Sequence, residues 1–189
     1  MTLHLLAVAA SLRKASLNRR LLAQAAAAAT RQGATVEIAE FAEFDMPLFN
    51  ADAQQASGFP PGAVRFQERL GRADGLLLAS PEYNYSLPGT LKNAIDWLSR
   101  MRPVPLRGKS AFLLAASGGP IGGIRGLWQL RIPLEGLGVF VHPDMYTLPL
   151  GADAFAEDGT LREPKAAERL ETLLRGYLTA ATRLAGKAG

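Results

Sequence analysis

Between the apolar run Leu76-Leu77-Leu78-Ala79 and a helical pattern opening at Leu91 lies Ser80-Pro81-Glu82-Tyr83-Asn84-Tyr85-Ser86-Leu87-Pro88-Gly89-Thr90. A glutamate, two tyrosines and an asparagine stand between two prolines. Proline fixes φ and removes a donor, so this stretch has little freedom. Its remaining backbone N–H and C=O groups can then be presented as a fixed array, which suits a flat ring with polar edges. A plain strand-to-helix turn with surface tyrosines is the competing reading.

A second such stretch follows the apolar run Leu3 to Ala9: Ser11-Leu12-Arg13-Lys14-Ala15-Ser16-Leu17-Asn18. Where a strand hands over to a helix, free backbone N–H groups and the helix dipole favour a phosphate. Ser11, Arg13, Ser16 and Asn18 add two hydroxyls, a guanidinium and an amide. Ser16 reads equally well as a simple N-cap. No Walker or Rossmann glycine fingerprint occurs, which disfavours a nucleoside triphosphate or a dinucleotide as the main tightly held ligand. A third stretch, Ser117-Gly118-Gly119-Pro120-Ile121-Gly122-Gly123, is small enough for its N–H groups to approach a ring closely. It also reads as an ordinary turn.

Composition narrows the chemistry. The 189 residues include no cysteine and two histidines, His4 and His142, far apart in sequence. Disulfides, thiolate nucleophiles and thiolate metal sites are excluded, and a histidine-based metal site is not expected. Lys plus Arg number 21 against 17 acidic residues, a net charge of +4. Arg13, Lys14, Arg19 and Arg20 concentrate part of that excess near the second stretch, as suits an anionic small molecule. A nucleic-acid partner would call for a longer basic stripe or a known motif. Met1 to Ala10 is too short to span a bilayer and has no basic residue ahead of it to make a signal peptide. The expected location is the cytoplasm, with no membrane partner.

The elements that must position these stretches alternate. Strands are expected at Leu3–Ala9, Thr35–Ala39, Leu76–Ala79, Ser110–Ala116 and Val139–His142. Leu21, Leu22, Ala25, Ala28 and Ala29 make the stripe of a helix capped by Ser16 and stopped at Gly33. Further helices are expected at about Ala63–Arg72, from Leu91 to near Arg100, at Ile124–Leu137 and at Glu163–Ala185. Pro133 predicts a bend or break in the fourth of these five helices. Phe41 to Gly62 lacks periodicity and is expected to be an extended crossover. Five alternations argue for one doubly wound α/β domain over 1–189.

The run from Pro81 to Gly89, with Leu91-Lys92-Asn93-Ala94-Ile95-Asp96-Trp97, resembles the signature of the NADPH-dependent FMN reductase family, in its quinone and chromate reductase branch. The resemblance covers roughly residues 3 to 150. It implies a single flavodoxin-like five-stranded parallel sheet of order 2-1-3-4-5 with helices on both faces. It implies FMN as cofactor, its phosphate gripped by Ser11, Arg13, Ser16 and Asn18. Pro81, Glu82, Tyr83 and Asn84, with Ser117, Gly118 and Gly119, would contact the ring. Ala10 stands where the family usually has glycine; a positive φ there would cost alanine roughly 1 kcal/mol.

The implied reaction moves a hydride from NADPH or NADH through FMN to a quinone, chromate, an azo compound or free flavin, in a ping-pong cycle without a side-chain nucleophile. Tyr85 would face the substrate space or a neighbouring subunit. Association as a homodimer or homotetramer is implied; an Arg125–Asp144 contact is expected at the boundary, with a solvated surface pair as the competing reading. Trp97 and Trp128 read as core or interface residues. The alternatives are a flavin reductase feeding a monooxygenase, a flavodoxin-like electron carrier, which is usually acidic, and a binding module without redox function.

Overall fold

The computed structural model describes residues 2–186. Its strands are β1 (His4–Ala9), β2 (Thr35–Ala39), β3 (Gly75–Ala79), β4 (Ser110–Ala116), β5 (Phe140–Val141) and β6 (Tyr146–Leu148). Its α-helices are α1 (Leu17–Arg31), α2 (Ala51–Ser57), α3 (Pro61–Arg72), α4 (Gly89–Leu98), α5 (Ile124–Gly136) and α6 (Pro164–Leu184). All strand pairings are parallel, in the order β2-β1-β3-β4-β5, with β6 also on β4. This is the flavodoxin-like order.

Every residue of β3 and β4 is buried, as expected where helices cover both faces. Successive side chains divide between two cores. Leu5, Ala7, Leu77, Phe112 and Leu114 pack with Leu21, Ala25, Leu174 and Tyr177 of α1 and α6. Leu6, Val8, Leu76, Leu78 and Leu113 pack with Phe66, Ile95, Trp97 and Leu127 of α3, α4 and α5. Trp97 is a core residue, whereas Trp128 is 54% exposed.

Three expectations need correction. The crossover 41–62 is not unstructured: it holds a 3-10 turn, Phe41–Phe44, then α2 and the start of α3. Its order comes from elsewhere in the chain. The Asn93 amide accepts from Phe49 N–H at 2.8 Å and donates to Pro47 C=O at 3.0 Å. Trp97 Nε1 donates to the same Pro47 carbonyl at 2.8 Å, and Phe44 stacks on Phe66 at 4.2 Å. The fifth strand is divided: β5 pairs with Ser110 and Ala111, β6 with Leu114 to Ala116. Finally, α5 is not broken at Pro133 but runs through it to Gly136. Pro133 falls in the last turn, so the N–H it lacks serves only the Gln129 carbonyl, near the helix end.

Candidate functional site

Because β1, β3 and β4 are adjacent and parallel, the three stretches leave one edge of the sheet, the carboxyl edge where open α/β sheets bind ligands. The ladder continues into each of them. Ala10 N–H donates to Ala79 C=O at 2.8 Å, Ser80 N–H to Leu114 C=O at 2.9 Å, and Ser117 N–H to Leu148 C=O at 3.2 Å. Ala10 is buried and is not among the residues with positive φ. Alanine is therefore unstrained there.

In the first loop Ser16 caps α1, its Oγ accepting from Arg19 N–H at 3.4 Å. Arg13 is exposed and has no side-chain partner among the described residues. Ser11 lies beside it, 8% exposed. The basic concentration is smaller than the sequence suggests. Arg19 pairs with Glu40 at 2.6 Å, and Arg20 lies 4.4 Å over the Phe155 ring and donates to Ala156 C=O. Arg13 and Lys14 remain for an anion.

Asn18 is turned to a structural task. Its amide donates to Ala116 C=O and accepts from Ala116 N–H, both at 2.9 Å, so it ties α1 to the end of β4. One amide hydrogen is left for a ligand.

The second loop folds back on itself. Tyr83 and Ser86 exchange two backbone hydrogen bonds, 2.9 and 3.0 Å. Asn84 and Tyr85 between them have φ of 48° and 69°. A two-residue turn with both central φ positive matches a type I′ hairpin turn, in which asparagine is at home and tyrosine is not. Tyr83 and Tyr85 are 52% and 68% exposed. Pro81 is buried.

Glu82 is placed differently from its neighbours. Its side chain is 7% exposed and pairs with Arg125, whose Nε and Nη2 reach Oε1 at 2.6 and 2.5 Å. Its other oxygen accepts from Gly126 N–H at 3.2 Å. Burial pushes the carboxyl upward, but the hydrogen bonds from Arg125 and Gly126 and the Arg125 charge outweigh it. The net effect holds Glu82 below the usual carboxylate range. Arg125 also lies 4.0 Å over the Tyr85 ring. Asp144 stands 3.8 Å from His142 Nε2, so within one chain Arg125 and Asp144 serve different partners.

In the third loop, a Cβ added at Gly118 would meet nothing within 4 Å, and one at Gly119 only Ser117 Oγ at 3.7 Å. The space over these glycines is open, as close approach of a flat ring to the backbone requires. Gly123 has φ +88° and heads α5. Segment 149–151 supports the loop from behind, Leu150 N–H donating to Gly119 C=O at 3.1 Å and Gly151 N–H to Ser117 C=O at 2.8 Å. Beside the first loop a cavity of about 310 Å³ is lined by Leu12, Phe41, Phe44 and Met46, with Asp45, Thr90 and Asn93 as its polar members.

A guanidinium without a partner among the described residues, in the loop ahead of a helix, and an open backbone cradle fit the phosphate and the ring of FMN. The sequence gives no sign of the Glu82–Arg125–Gly126 contact, which joins residues 43 and 44 positions apart.

Comparison with known proteins identifies the family and the fold. The family described as NADPH-dependent FMN reductase matches residues 3–153. An NAD(P)H-dependent FMN reductase of Pseudomonas aeruginosa is 40% identical over 96% of either chain. A quinone reductase of Escherichia coli is 46% identical over 64% of this chain and 63% of its own. Among solved structures, the flavoenzyme NAD(P)H:(acceptor) oxidoreductase FerB of Paracoccus denitrificans superposes with a TM-score of 0.82 at 28% identity, covering 96% of this chain and 98% of its own.

Proposed function

The chain belongs to the NADPH-dependent FMN reductase family, and from that premise we propose that it binds FMN at the three-loop rim and reduces quinones with NAD(P)H. The observation that carries the reading is the rim itself: in the loop ahead of α1 an exposed Arg13 without a side-chain partner among the described residues, and an open Gly118–Gly119 backbone after β4. When bound, FMN supplies the capacity to accept a hydride from NAD(P)H and return electrons to an acceptor. The chain's own residues bind and orient. Arg13, Ser11, Ser16 and the first N–H groups of α1 hold the phosphate, and Asn18 contributes its spare amide hydrogen. Pro81, Glu82, Tyr83 and Asn84 on one side, and Ser117, Gly118 and Gly119 on the other, form the ring's cradle. The backbone N–H groups of Glu82, Asn84 and Gly118, which no backbone carbonyl among the described residues takes up, offset negative charge that gathers on a reduced ring.

Donor and acceptor use the same opening in turn, so turnover is ping-pong. Uncharged acceptors suit the apolar cavity at Leu12, Phe41 and Met46, which places quinones ahead of chromate; azo compounds and free flavin are further acceptors. Among the described residues no helix is long and apolar enough to cross a membrane, and we place the protein in the cytoplasm. The exposed Trp128 and Ile132, four residues apart on α5, favour a homodimer or homotetramer.

Protein reconstituted with FMN is expected to be yellow, to bleach under anaerobic NAD(P)H and to recover colour with a quinone. A chain that takes up no FMN overturns the reading. Arg13→Ala is expected to weaken FMN binding about tenfold, the worth of roughly one charge-assisted contact. Unchanged affinity removes Arg13 from the site.

A further inference from the structure

We propose that Glu82 is a positioning residue: its carboxylate fastens the two ring loops to each other through Arg125 and the Gly126 amide, instead of contacting the ring. The proposal rests on the FMN reading above. Both carboxylate oxygens are committed, Oε1 to Arg125 Nε and Nη2 at 2.6 and 2.5 Å and Oε2 to Gly126 N–H at 3.2 Å. The backbones themselves touch. A Cβ on Gly126 would lie 3.1 Å from Glu82 Cα, Glu82 Cβ and Ser86 O. The loop after β3 is thus seated on the first turn of α5, the helix that the loop after β4 leads into.

The loop being held needs holding. Asn84 accepts positive φ in its hairpin turn, but Tyr85 beside it also has positive φ, a conformation that a bulky residue keeps only where the surroundings impose it. Arg125 supplies that constraint on two fronts, pairing with Glu82 and lying over the Tyr85 ring. Charge leads to the same assignment. A bare carboxylate beside a phosphorylated cofactor that becomes anionic on reduction would oppose binding; paired with a guanidinium it does not. The arrangement therefore sets the loop's N–H groups in place before the cofactor arrives, which lowers the ordering cost of binding.

The test is a double-mutant cycle on FMN affinity, read by fluorescence quenching as apoprotein is titrated into FMN, for wild type, Glu82→Gln, Arg125→Gln and the pair. Each single change is expected to weaken binding about tenfold, and the double change no more than the worse single. Amide exchange of residues 82–86 in the apoprotein is expected to accelerate alike in all three variants. The bound flavin's absorption spectrum is expected to shift alike in both singles, which loss of general stability would not cause. Additive losses, or a weakened Glu82→Gln whose loop amides exchange as in wild type, would show that the Glu82 carboxylate itself meets the ring and overturn the proposal. Failure of the wild-type protein to bind FMN would instead overturn the functional reading, and this proposal with it.

Discussion

Replacing Asn18 by alanine would strip Ala116 of both its backbone partners at once. Asn18 is 3% exposed and Ala116 is likewise buried, so an N–H and a C=O would be left without water. Each such loss costs about 1–3 kcal/mol, and urea unfolding of Asn18→Ala apoprotein is expected to show a loss of about 2–4 kcal/mol. Gly126→Ala tests a different contact. Alanine favours a helix interior by about 1 kcal/mol, yet its methyl would press on Glu82 and Ser86 at 3.1 Å. The variant is expected to keep its unfolding midpoint while binding FMN several-fold more weakly, as isothermal titration would show. Glu82 also sets an acid limit. Its folded carboxyl titrates below the ordinary value, so its contribution is complete above that ordinary value and is lost as pH falls through the lowered one. The stability gap between wild type and Glu82→Gln is expected to close in that acid range, measured by urea unfolding at stepped pH.

At the scale of elements, His142 follows β5 and packs against the rings of Phe112 on β4 and Tyr177 on α6, with centroids 6.1 and 5.8 Å away. Burial, helped by the Arg131 charge and opposed by Asp144, pulls its pKa below the usual histidine value. An unfolded chain therefore takes up a proton that the folded one refuses, and stability falls as pH drops through the ordinary histidine range, between about pH 7 and 5. His142→Gln is expected to flatten that slope in urea midpoints. Legibility also follows the elements. β4 was readable to its ends because seven consecutive buried residues leave a run, Ser110–Ala116, that is apolar from Ala111 onward. α1 was readable from Ser16 to Gly33 because cap, stripe and stop are all local. The crossover was not, since Asn93 and Trp97 order it from 46 and 50 residues away. The Glu82–Arg125 pair escaped for the same reason. Where a residue's partner lies beyond the span of a helix turn or a strand pair, periodicity carries no trace of it.

At the scale of the molecule, Arg19, Arg31 and Arg69 are tied up in ion pairs with Glu40, Glu171 and Glu37, and the excess of +4 falls on cations outside such pairs, Arg13 and Lys14 of the first loop among them. The exposed Trp128 and Ile132 form the apolar strip on α5 that the proposed association would cover. Trp128→Glu with Ile132→Glu is expected to shift the species seen by light scattering at micromolar concentration toward one chain, with FMN still bound. A wild type that is already monomeric would remove that face from consideration. The divided strand position has an outcome of its own. Its two pieces are two and three residues long, and at the opposite margin Glu37 of β2 is clasped by Arg69. Neither border offers a stranger's backbone a long row of idle amides to template upon, so concentrated stocks of the folded protein should resist fibril seeding even after prolonged storage.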